Sequence, residues 1–234
     1  MSESQQKVRR VRRTKITLER DVNNAVNSLI EELGFANVTL TGVAQRAQIE
    51  PTVFYRRYAN LEELFDQYSR KYDYWMGNLS DSMPGNLTYE EMFKWILKNL
   101  TIALYRNKGM QQLLIWELSN DNAITRRTSK LREETNSSLI KILEDLFKNS
   151  GLDMSAITAM LISGIYYLIL HRKRSNFCDI DFSSRSGKAR LEGAIDQIGT
   201  ILFAEINRRN EKVVIANKLR EEGVSEEIIS RCVC

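Results

Sequence analysis

Histidine occurs once in this chain of 234 residues, proline twice and cysteine three times, and each shortage excludes something. Any Ser-His-Asp or Cys-His arrangement must use His171. That residue precedes Arg172, Lys173 and Arg174, a cationic setting that opposes further positive charge and suits a helix end. No GxSxG, Walker A, GxGxxG or HExxH pattern is present. The acidic pairs Glu62-Glu63 and Glu133-Glu134 read as solvated charge. The chain therefore reads as a non-enzyme with no cofactor. Cys178, Cys232 and Cys234 form no CxxC and lie far from His171, so no metal site is expected, and the thiols read as reduced. The basic N-terminus leads into no apolar run, which excludes a signal peptide and points to the cytoplasm. Ala156 to Leu170 is apolar, but shorter than the ~20 residues that span a bilayer, and Thr158, Ser163 and Gly164 interrupt it. It predicts a helix buried on most sides, and no membrane partner.

What is present is helical. A hydrophobic fraction of 43% is enough for a core, and near-absence of proline with long Leu, Glu, Lys and Ile stretches predicts an all-α protein. The net charge of +4 is unevenly placed. Lys7, Arg9, Arg10, Arg12, Arg13 and Lys15 face one acid, Glu3, within residues 1–16. This segment reads as a flexible basic arm that orders on an anionic partner such as DNA.

Thr39 to Tyr58 (TLTGVAQRAQIEPTVFYRRY) reads as two short helices and a tight turn. Thr39 is placed to cap the first helix, and Val43, Ala44 and Ala47 form its apolar stripe. Gln48 and Ile49 fall in the turn, with Ile49 directed to the core. Pro51 opens the second helix, where its missing N–H costs nothing. Phe54 and Tyr58 are spaced to face inward. Thr52, Val53, Tyr55, Arg56 and Arg57 remain for the outer face, a set of groups suited to a DNA major groove.

Residues Thr17 to Phe65 resemble the DNA-binding domain of the TetR family of bacterial transcriptional regulators. The resemblance rests on Gly34-Phe35, Val38-Thr39-Leu40, Val43-Ala44 with Ala47, Pro51, Phe54-Tyr55, Tyr58 and Glu62-Glu63-Leu64-Phe65. Three positions depart from it. Gln48 stands for the turn glycine and predicts a left-handed non-glycine residue, Glu50 replaces a small or hydroxyl residue, and Leu61 replaces a lysine that touches the DNA backbone. The resemblance implies a DNA-binding regulator, a ligand-responsive repressor that binds a palindromic double-stranded operator as a homodimer. Thr52, Val53 and Arg56 are the candidates for base contact. Thr39, Thr41, Tyr55 and Arg57 are the candidates for phosphate. The alternative is a helical protein–protein interaction module whose helix-turn-helix does not read DNA.

Around this unit the periodicity predicts a helix over 17–33 closed by Gly34 as a left-handed cap, and a long one from Asn60 to Leu79. The latter carries Leu64, Phe65, Tyr68, Tyr72, Trp75, Met76 and Leu79 inward, and could act as a lever. Further helices are expected over 88–105, 110–118, 119–149, 154–174 and 186–208, with separate ones over 212–221 and from Ser225. Asn107-Lys108-Gly109 is read as a break. The fold class is all-α: a three-helix N-terminal helix-turn-helix domain, then a larger helical ligand-binding and dimerisation domain. The expected divisions are a 1–16 arm, a 17–60 DNA-binding domain, a 61–210 effector and dimer domain and a 211–234 helical extension. Tyr72, Trp75, Trp95, Tyr105, Trp116 and Tyr166 are candidates to line the pocket of an unknown small-molecule effector. Helices 154–174 and 186–208 carry more apolar surface than a monomer needs, and predict the homodimer contact.

Overall fold

The computed structural model of the chain describes residues 14–72 and 82–233, and within them the elements are helices. The chain divides into two compact units. One holds residues up to 72 together with 112–128; the other holds 73–111 and 129–234.

The first unit begins with α1 (Lys15–Leu33), capped by the Thr14 hydroxyl, which accepts from Thr17 N. Val22, Ala25, Val26, Leu29 and Ile30 recur at helical spacing and are buried. Gly34 closes α1 at φ 77, ψ 160. This is not the left-handed cap expected but an extended conformation at positive φ, which is still a glycine's territory. A 3-10 turn, Phe35–Asn37, leads to α2 (Leu40–Arg46), α3 (Pro51–Tyr55) and α4 (Leu61–Ser69). Asn60 caps α4 by accepting from Glu63 N at 2.8 Å. The long helix expected from Asn60 is not continuous: α4 stops at Ser69 and Arg70–Tyr72 is a 3-10 turn. At the junction the buried Ser69 hydroxyl donates to Asp66 O at 2.9 Å, beside the helical bond from Arg70 N to the same oxygen, and accepts from Arg127 at 2.7 Å. Trp75, Met76 and Leu79 lie outside the described residues, as does most of the basic arm.

The segment 112–128 enters this unit through aromatic packing. Trp116 stacks on Phe35 with centroids 4.4 Å apart and meets Phe65 edge-on at 5.6 Å. It belongs to α6 (Lys108–Ser119), which Asn107 alone separates from the preceding helix. The expected three-residue break shrinks because the Asn107 side chain itself caps α6, accepting from Met110 N at 2.9 Å. The unit boundary falls within α6, after Gln111, and within α7 (Ala123–Phe147), after Thr128.

The second unit contains α5 (Tyr89–Arg106), with a capping box between Thr88 and Glu91, and the greater part of α7. It continues with α8 (Met154–His171), α9 (Arg185–Glu221) and α10 (Glu226–Val233). α5 packs against α8 and α9, and Phe203 of α9 meets Phe93 and Phe147 in the core. Two expectations fail here. α9 is a single helix of 37 residues with no stop near 209–211. No glycine or proline falls between Gly199 and Gly223, and Glu205 pairs with both Arg208 and Arg209 along the surface. α8 is not buried on most sides. Met154, Thr158, Ile165 and Ile169 form one covered stripe, while Met160 is 73% exposed and Tyr167 51%. By length and composition, this 18-residue helix is long and apolar enough to cross a membrane.

At the end of α4, Lys71 lies 3.5 Å above the Tyr68 ring and donates to Asn27 of α1. Lys71 as a whole is exposed, but partial desolvation of its ammonium against the Tyr68 ring lowers it from the usual 10.5 to about 8, against the opposing pull of Glu31. Between these values the unfolded chain holds a proton that the folded chain has released, so stability rises with pH across the window. Burial raises Tyr68 above its usual 10.0, which reverses the trend only above that pH. Urea unfolding from about pH 8 to pH 10 is expected to show the rise, and Lys71→Met to flatten it. An unchanged slope in the variant would remove Lys71 as its source.

Candidate nucleic-acid interface

The helix-turn-helix is fixed by its turn. Thr39 caps α2, its hydroxyl accepting from Gly42 N at 3.1 Å. At the other end, Gln48 N donates to Gln45 O at 3.1 Å and Ile49 N to Ala44 O at 2.9 Å. This is the Schellman pattern, and it requires a left-handed residue at Gln48, which has φ 54. The non-glycine residue read from the sequence therefore does occupy that conformation. Ile49 is half-buried rather than in the core proper.

Glu50 and Pro51 then open α3, which is only five residues long. A helix this short is unstable alone and is held by what it buries. Phe54 is 1% exposed and Tyr58 2%, with their rings 5.1 Å apart. The opposite face carries Thr52, Tyr55 and Arg56, all exposed, with Val53 half-buried beside them. Thr39 and Thr41 are exposed at the start of α2, where unpaired backbone N–H groups favour an anion.

The two adjacent arginines differ. The Arg56 side chain makes no hydrogen bond or ion pair with any described residue, so its guanidinium is available. Arg57 is drawn back into the fold: it pairs with Glu19 of α1 and lies 5.8 Å from the Tyr58 centroid. As a phosphate ligand it would first have to leave Glu19. Arg46 is engaged in a similar way, with two bonds of 2.9 Å to Glu32 and one of 2.8 Å to Ser28. These pairs join residues distant in sequence, and no local motif signals them.

The six aromatic residues expected at an effector pocket are divided between the two units. Tyr72 and Trp116 belong to the first unit, Trp116 as core, while Tyr72 shares a 3.2 Å hydrogen bond with Tyr68. Trp75 lies outside the described residues. Trp95, Tyr105 and Tyr166, all half-buried, belong to the second. Tyr105 is engaged, donating to Phe182 O at 2.7 Å with Arg172 over its ring. The second unit does hold a small apolar cavity of about 40 Å³ between α5, α7 and α8, bounded by Phe93, Leu97, Leu143 and Ile162 among others. Thr158 also lines it, and its buried hydroxyl has no partner among the described residues. None of the five described aromatic candidates does.

No family model and no curated protein matches the chain. Solved structures do. A TetR-family transcriptional regulator from Haemophilus influenzae superposes with a TM-score of 0.53 at 15% identity, over 80% of this chain and 98% of that one. A putative TetR-family regulator from Rhodococcus sp. gives 0.55 at 13% identity, over 78% and 98%. The fatty acid degradation regulator FadR from Bacillus halodurans gives 0.53 at 14% identity, over 80% and 96%. The chain thus has the all-α fold of the TetR-family transcriptional regulators, and the likeness reaches well beyond the residues whose motifs suggested it.

Replacing Gln48 by glycine removes the left-handed strain and is expected to stabilise the protein by about 1 kcal/mol. Urea or thermal unfolding checks this, and a loss of stability would mean that the Gln48 side chain contributes more than its backbone costs.

Proposed function

We propose that this protein is a DNA-binding transcriptional regulator that acts as a homodimer on a palindromic site, and not an enzyme. The observation that carries the reading is the contrast on α3. Phe54 and Tyr58 hold one face rigidly, while Thr52, Tyr55 and the unpartnered Arg56 stand on the other. A short anchored helix with an available guanidinium suits major-groove readout, in which arginine recognises guanine by two hydrogen bonds. Thr52 and Val53 join Arg56 at the bases. Thr39, Thr41 and Tyr55 meet phosphates and set the register. Arg57 serves mainly to tie α3 to α1 through Glu19. Residues 1–16 add basic charge that tracks the adjacent backbone.

The homodimer reading is supported by the second unit. Met160 and Tyr167 on α8 and Ile201 on α9 are large, apolar and more than half exposed. A Cβ at Gly164 or Gly193 would meet nothing within 4 Å, so these helix surfaces leave room for close approach of another helix. Two copies packed there would present two recognition helices to a two-fold symmetric site. A repressor released by a small molecule is the reading with the least physical support. The inner cavity of about 40 Å³ falls far short of the ~300–1,000 Å³ typical of ligand pockets. An effector entering beside Thr158 would have to displace the α7 side chains around it.

Fluorescence anisotropy with a labelled duplex at two salt concentrations tests the DNA reading. Binding is expected to weaken steeply with salt. Arg56→Ala should reduce affinity by about tenfold while leaving the unfolding transition unchanged. Arg57→Ala should instead lower stability, because it leaves Glu19 unpaired. No salt-sensitive binding, or equal loss of affinity in the two variants, would favour the interaction-module reading. In sedimentation, Met160→Arg is expected to convert a dimer into a monomer; a dimer that survives the change would place the contact elsewhere.

A further inference from the structure

The unbroken course of α9 creates a feature that the sequence reading missed. The chain turns at Gly223, where Gly223 N donates to Arg220 O and Val224 N to Leu219 O, both at 3.0 Å. α10 then packs back on α9, burying Ile229 and Ala216. Between the C-terminal part of α9 and the end of α7 lies a groove of about 430 Å³, roughly tenfold the inner cavity and within the usual range for small-molecule sites. Leu146, Ile206, Val213 and Ala216 give it an apolar lining.

The polar groups of the groove are mostly cationic, and they differ in how far they are neutralised. Arg209 is shared between Glu205 and the carbonyl of Asn149, at 2.8 and 2.6 Å. Arg220 is held by Glu226 at 2.6 Å. Lys212 has no partner among the described residues. Ser150, only 6% exposed, accepts from Leu152 N at 3.0 Å, and its hydroxyl proton has no acceptor among the described residues. Asp145 is the one acid in the lining. Glu226 offsets Arg220 and Asp145 opposes Lys212, but Glu205 is divided between Arg209 and Arg208, so about one positive charge is left over, which suits a single negative charge and disfavours nucleotides and other polyanions. The apolar lining in turn disfavours a small hydrated anion.

We infer that this groove binds a monoanionic amphiphile, a small molecule with an apolar body and one carboxylate-like group, the anion meeting Lys212 and Ser150 and the body covering Val213 and Leu146. The inference does not depend on the DNA reading, since no residue of the first unit takes part.

Calorimetry on the full-length protein tests it, with octanoate as probe and 1-octanol and octylammonium as comparators. Octanoate is expected to bind once per chain, and octanol about tenfold more weakly, because it lacks the charge-assisted bonds. Lys212→Glu should weaken octanoate by about tenfold and leave octanol unchanged, whereas Val213→Asp should weaken both. Both side chains lie outside the core, and circular dichroism confirms that the variants fold. Equal affinity for octanoate and octanol, insensitivity to Lys212→Glu, or no saturable binding at millimolar octanoate would overturn the proposal. A change of sedimentation mass in Val213→Asp would also overturn it, marking the groove as a contact between copies.

Discussion

Burial of Phe54 and Tyr58 is the constraint on which the candidate interface depends. Five residues cannot hold a helix by their own hydrogen bonds, because nucleation costs more than one turn returns. α3 exists because those two rings are almost wholly removed from water, at roughly 1.5–3 kcal/mol each. The turn at Gln48 sets the angle at which α3 leaves α2, and the ion pair of Arg57 with Glu19 ties its end to α1. With the inner face fixed on three sides, the outer face loses little further entropy when it meets a partner. That is the preorganisation a recognition element needs.

A second dependence is less local. Phe35, in the short turn after α1, packs against Phe65, Tyr68 and Trp116. The first compact unit therefore includes residues 112–128, far along the chain from the helix-turn-helix. α6 and α7 each belong partly to one unit and partly to the other, so the polypeptide passes between the units several times.

Much of this was legible in the sequence, where local chemistry decides the outcome. Thr39, Pro51, Asn60 and Thr88 mark helix starts because capping is a matter of a few adjacent atoms. The left-handed Gln48 followed from a departure at one turn position. What the sequence concealed is non-local. Trp116 reads equally well as pocket or as core until Phe35 is seen stacked on it. Arg56 and Arg57 are indistinguishable neighbours until Glu19 claims one of them. The continuity of α9 was hidden by a polar stretch, Asn207 to Lys212, that looks like a loop but contains no residue able to stop a helix. The groove beside it could not be foreseen without that continuity.

The central claim is that the outer face of α3 reads a DNA sequence. Selection of the full-length protein on a random duplex library addresses it most directly, run in parallel with Arg56→Ala. The account predicts an enriched palindrome whose half-sites contain a guanine that the variant no longer selects. Enrichment of no sequence, or of the same palindrome with the same guanine by both proteins, would contradict it.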